Sequence, residues 1–217
     1  MLKNNADIKE CCTGFTLITS ESCNLACSYC DMAQHINAKC HAEETKKVKE
    51  SLVNGQFMHT IRTALDRLEI SPMQIKHLDL WGQEPTLTLN EFSTMFPELF
   101  ELCPNLEHIF FSTNGVANVD RILNFIRLLT KLATKKFILN LQFSYDGKIP
   151  TKAHRGVNPD IIINNIIKFI TELNDIDLGE HVFVELHFHN VADNEIMEYF
   201  ADPTKEEELF EYENEFD

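Results

Sequence analysis

Cys23, Cys27 and Cys30 stand in the segment ESCNLACSYCD with the spacing C-x3-C-x2-C. Thiolates are ligands for soft metals and iron–sulfur clusters, and so short a segment can fold three sulfurs around one cluster face. The count is informative. Three ligands leave one iron of a cubane open to a non-protein group, whereas a structural zinc site wants a fourth ligand and full closure. Cys40, His35 or His41 would supply that fourth ligand, so spacing alone leaves both readings open. Adjacent Cys11 and Cys12 are ill placed to grip one metal together, and Cys40 and Cys103 read as small buried residues. Seven cysteines, an odd number, in a chain opening MLKNNADIKE with no apolar export signal argue against a disulfide framework and for a cytoplasmic protein.

The elements that must position these thiols follow from the apolar pattern. Runs rich in β-branched and aromatic residues, Phe15–Thr19, Ile75–Leu80, His108–Ser112, Phe137–Ser144 and Val182–Phe188, predict five strands. Between them, helices are predicted within Glu43–Leu68, over Asn90–Leu102 with Asn90 as N-cap, and around Asp120–Thr134 and Pro159–Asn174. This alternation predicts an α/β fold with right-handed crossovers and a parallel sheet, either doubly wound or curled into a partial (βα) barrel. In both, ligand groups follow the carboxyl ends of the strands. The cysteine loop, WGQEP, TNG and YDG all fall there.

The chain has 217 residues, 44% of them hydrophobic and 24% charged, which suits one core domain over residues 1–192 with a short extension over 1–14. Its net charge of −15 argues against a nucleic-acid partner, and no apolar run is long enough for a membrane span. From Asp193 to Asp217 there are 11 acids and one lysine, so this stretch alone carries −10 and is expected to be a solvated acidic tail. His187 and His189 alternate on the fifth strand and are expected to be satisfied sheet histidines, not metal ligands.

Taken in order, these segments resemble the radical S-adenosylmethionine enzymes. CNLACSYC, with Tyr29 before the last cysteine, is similar to that family's cluster signature; WGQEPTL resembles its GGEP motif; STNG and SYDG resemble two further segments. SYDG is nearest to the branch that modifies peptides and proteins. The resemblance spans Thr16 to Arg155 and implies a partial barrel. It further implies a 4Fe-4S cluster on Cys23, Cys27 and Cys30, with S-adenosylmethionine chelated at the fourth iron. Reductive cleavage would yield a 5'-deoxyadenosyl radical that abstracts hydrogen from a peptide or protein side chain. The electron would come from a donor such as flavodoxin or ferredoxin.

By the same resemblance, Gly82, Gln83 and Glu84 border the cofactor, and the Glu84 carboxylate receives its ammonium. Asn114 and Ser144 approach its ribose or carboxylate, Arg155 pairs with the carboxylate, and Tyr29 packs beside the cluster and adenine. Asp146 reads instead as a turn residue before glycine.

The chain departs from the family pattern in three places. Gln83 stands where the second glycine of GGE is usual, which would be strained if that position needed positive φ. No sixth strand is legible after Val191, and no cysteine-rich region follows Cys103. Small-heterocycle chemistry, activation of a glycyl-radical enzyme, a non-catalytic metal-bearing interaction module and a chain that keeps its cluster but not its cofactor pocket are the rival readings.

Overall fold

A computed structural model describes residues 12–20, 22–30 and 38–189, the side chains of 38–42 and 189 excepted. Five parallel strands, β1 (Gly14–Ser20), β2 (His77–Gly82), β3 (His108–Thr113), β4 (Phe137–Ser144) and β5 (Val182–His189), form one sheet in sequential order. That order has no switch point, so among the described strands the doubly wound alternative is excluded. Helices α1 (Ala38–Val53) and α2 (Gln56–Leu68) join β1 to β2, and α3 (Leu89–Leu102), α4 (Asp120–Leu132) and α5 (Pro159–Asn174) fill the later crossovers. The single helix predicted within Glu43–Leu68 is thus two. Gly55, at φ 83°, breaks it in a left-handed conformation that glycine adopts without penalty. Helix α3 starts at Leu89 after Thr88, one residue before the predicted Asn90 cap.

Alternation along the strands sorts the two faces of the sheet. On one face Leu78 and Leu80 of β2, Ile109 and Phe111 of β3, and Leu139, Leu141 and Phe143 of β4 are buried. Aromatic residues of the helices close over them: Phe125 lies 6.5 Å from Phe111, Phe96 lies 6.5 Å from Phe137, and Phe169 lies 5.6 Å from Phe143, centroid to centroid. The opposite face is more open and mixed: half-buried Asp79, Ser112, Asn140, Gln142 and Ser144 share it with half-buried Phe110 and Ile138 and with exposed Ile18, Trp81 and Phe183. His187 on β5 shares it and bonds through Nε2 to Asn140 Oδ1 at 3.0 Å, a satisfied sheet histidine as expected. Cys103 is fully buried, also as expected, and its thiol is pushed up to about 11 by that burial.

Cys11, His35, the side chains of Cys40, His41 and His189, and the stretch read as an acidic tail lie outside the described residues. No helix among the described residues is long and apolar enough to cross a membrane.

Candidate functional site

The cysteine loop leaves β1 at the carboxyl edge of the sheet, where the β1–β2 register shifts between Ile18 and Ser20. Loop and β2 are joined by backbone bonds from Gln83 N–H to Ser20 O and from Glu84 N–H to Ser22 O, both 3.2 Å. These bonds require a close approach at Gly82. A Cβ there would stand 2.1 Å from Ser20 O, and its φ is 139°, so glycine is obligatory. Gln83 is not strained: Glu69 is the one non-glycine residue at positive φ among the described residues. The feared cost of replacing the second glycine is therefore absent, because the demanding position is the first.

Cys23, Cys27 and Cys30 are free, half-buried thiols within electrostatic reach along the loop. Burial raises the Cys23 thiol, while the Leu25 N–H and the Asn114 side-chain amide, each 3.4 Å from Sγ, favour its thiolate. Burial also raises Cys27, opposed mainly by the positive charge of Arg155. No three His, Cys, Asp or Glu side chains among the described residues are drawn together closely enough to hold a metal ion. The donor set nonetheless suits an iron–sulfur cluster: three soft ligands, N–H groups aimed at sulfur, and a nearby guanidinium to offset thiolate charge.

Glu84 is fully buried and ties the ends of β2 and β3 together. Its Oε1 accepts from Thr113 Oγ1 at 2.9 Å and from the hydroxyl and N–H of Thr86, and its Oε2 accepts from Asn114 N–H at 2.7 Å. Burial pushes its pKa up, against these four donors. Asn114 carries the tie onward, its Nδ2 donating to Cys23 Sγ and, at 2.7 Å, to Asn24 Oδ1. One connected path runs from the β2 turn through the β3 turn to the first cysteine.

A second connection comes from the turn after β4. Arg155 donates to Asp146 Oδ2 from Nε at 2.6 Å and to Oδ1 from Nη2 at 3.0 Å, and both side chains are almost wholly buried. Tyr29 completes the group, its hydroxyl donating to Asp146 Oδ2 at 2.8 Å with the guanidinium 5.8 Å from its ring centroid. Burial pushes the Tyr29 phenol upward, so it remains a donor. A helical segment, Lys148–Pro150 continuing as a π-helix over Thr151–Arg155, returns the arginine to the aspartate. Its His154 accepts from Ser28 N–H through O at 2.7 Å and pairs with Ser28 Oγ through Nδ1 at 3.0 Å.

Asp146 stands before Gly147 at φ 88°, as the turn reading expects, and is in addition a buried ionic anchor. Arg155, expected to meet a cofactor carboxylate, is held by Asp146. The signal for the pair was present as an acid and an arginine nine residues apart around one strand end, but only the π-helical return makes them neighbours. Ser144 ends β4 half-buried opposite His189. Two buried polar atoms in this region, Thr19 Oγ1 and Gln83 Nε2, have no hydrogen-bond partner, which suits a site that takes a polar ligand. Compared with known proteins, the chain matches no family model, no curated protein and no solved structure.

Proposed function

We propose that this chain is a radical S-adenosylmethionine enzyme on a partial (βα) barrel, acting on a peptide or protein side chain. The observation that carries the reading is that Cys23 is tied, through Asn114, to Glu84: the signature cysteine and the two motif residues after β2 and β3 form one hydrogen-bonded unit. Cys23, Cys27 and Cys30 would hold a 4Fe-4S cluster, which together with bound S-adenosylmethionine supplies a carbon radical able to abstract hydrogen. The chain's own residues act around that chemistry. Asn114 and Leu25 direct N–H groups at Cys23, Arg155 offsets the charge of Cys27, Tyr29 closes the loop against Asp146, and Gln83 offers an unpartnered amide. The more open sheet face, where Asn140, Gln142 and Ser144 stand beside Phe110 and Ile138, is the surface on which a substrate would be oriented. An electron donor such as flavodoxin or ferredoxin is part of the proposal.

The test is anaerobic reconstitution with iron and sulfide, followed by dithionite and S-adenosylmethionine. The expected result is iron–sulfur absorbance and release of 5'-deoxyadenosine; zinc in place of iron, with neither signal, overturns the reading. A second reading, a cluster-bearing chain without a working cofactor pocket, is favoured by Glu84 and Arg155 both having their polar atoms engaged within the fold. Calorimetric titration of the reconstituted protein with S-adenosylmethionine separates the two.

A further inference from the structure

None of the five strands contains a lysine or arginine. On the open face of the sheet the register sets Thr16, Asp79, Phe110, Asn140 and Glu185 in one row across β1 to β5. The next row towards the carboxyl edge begins with Ile18 opposite Trp81. Ile18 is 55% and Trp81 60% exposed, an aliphatic and an indole surface side by side near the point where the cysteine loop leaves β1. Such an apolar pair at the edge where ligands bind is informative in a way that a single exposed residue is not.

Asp79 lies two residues before Trp81 on the same face, about 6.7 Å along the strand. Its half-buried carboxylate makes no hydrogen bond or ion pair among the described residues. Its charge is felt at His108, but burial lowers the pKa of that ring from 6.5, so near neutral pH the imidazole does not offset the carboxylate. The other neighbours of Asp79 on this face are Thr16 and Phe110 in its row and His77 two residues earlier. His77 packs its ring against His108, 5.3 Å between centroids. The face already holds one cation on an aromatic ring, at its far end: Lys136 Nζ stands 5.6 Å from the Phe183 centroid. A carboxylate beneath an aliphatic and aromatic wall suits a ligand with an apolar stem and a positive head, and it penalises acidic or wholly apolar side chains.

We infer that Asp79, with Trp81 and Ile18 above it, binds a basic side chain, arginine or lysine, of the peptide or protein substrate. The aliphatic stem lies along Ile18 and the indole, and the guanidinium or ammonium meets the carboxylate and the ring face. A stem of that length bridges the two rows, which keeps the peptide backbone at the carboxyl edge beside the cysteine loop. The inference rests on the proposed peptide-modifying reading for its natural ligand, while the recognition itself uses neither cluster nor S-adenosylmethionine.

Trp81 is the one tryptophan of the chain, so its emission reports on this site alone. Full-length protein, with and without reconstituted cluster, is titrated into the millimolar range with blocked tripeptides carrying a central arginine, lysine, citrulline or norleucine. The expected result is a saturable change in emission for arginine or lysine, with citrulline and norleucine binding about tenfold or more weaker. Asp79→Asn should weaken the basic peptides about tenfold or more. Glu185→Gln, the same loss of charge on the order of 14 Å along the row, should leave affinity within about twofold. Trp81→Ala, read by calorimetry, should weaken the basic peptides about threefold or more. The citrulline and norleucine comparison uses the unaltered chain and decides the matter if a variant does not fold. No saturable emission change or binding heat, equal affinity for norleucine, unchanged affinity in Asp79→Asn or Trp81→Ala, or an equal loss in Glu185→Gln overturns the inference. Saturable, Asp79-dependent binding by a protein that releases no 5'-deoxyadenosine supports the site and ends the enzymatic reading; release without such binding overturns the site alone.

Discussion

Asp146 and Arg155 form a two-bond ion pair, 2.6 and 3.0 Å, with side chains 0% and 2% exposed. Each would be a costly buried charge without the other. Arg155→Ala should therefore lower unfolding free energy by about 3–5 kcal/mol, measured by urea denaturation, and Arg155→Lys should recover only part because an ammonium lacks the planar fork. Asp146→Asn with Arg155→Gln, removing both charges, should lose less than Arg155→Ala alone.

Gly82 and Gln83 should respond in opposite ways. Gly82→Ala drives a methyl into Ser20 O and should unfold the β1–β2 edge, seen as loss of thermal cooperativity or insoluble expression. Gln83→Gly meets no conformational demand and should shift stability by under about 1 kcal/mol.

Glu84→Gln keeps the shape, and the Thr113 and Thr86 hydroxyls can turn to accept, but its NH2 group meets a backbone N–H at either position, Thr86 at Oε1 or Asn114 at Oε2. Leaving that buried N–H without an acceptor should cost about 1–3 kcal/mol. Because Asn114 hangs from Glu84, the variant should also expose Cys23, read as faster alkylation under native conditions.

His108 gives the fold a pH dependence. Burial lowers its pKa from 6.5, with the positive potential of His77 adding to this and the carboxylates of Asp79, Glu185 and Glu107 opposing it. The Asn140 amide, its oxygen turned to His187, offers an N–H to His108 Nε2, a contact for the neutral ring. Below about 6.5 the unfolded chain binds the proton that the folded chain refuses, so stability falls as pH drops towards the folded-state value. Denaturant midpoints at pH 7.5 and 5.5 should differ more for wild type than for His108→Gln.

Cys27→Ser should retain the fold, since its thiol supports no core packing, and should lose iron bound after anaerobic reconstitution. Full iron occupancy in that variant would exclude the three-cysteine site.

The strands were legible because alternating apolar residues such as Phe137, Leu139, Leu141 and Phe143 belong to a locally encoded pattern. The C-x3-C-x2-C spacing is visible for the same reason, since it lies within one short segment. What the sequence hid was pairing across distance. Arg155 shows an unattached charge in the sequence and a neutralised one in the fold, and nothing near Glu84 reveals that Thr113 and Asn114 will cap it. The strain feared at Gln83 was misplaced by one residue, because backbone proximity to Ser20 is a property of two strands and not of one segment.

Ser28 and Tyr29 depend on His154 and Asp146, partners more than a hundred positions downstream. During synthesis, which proceeds from the amino terminus at about 5–20 residues per second, the thiols emerge many seconds before the clasp that secures them. The protein is thus born with its cysteine loop unsecured, and on the proposed reading this interval is when a cluster would be delivered, before the clasp closes.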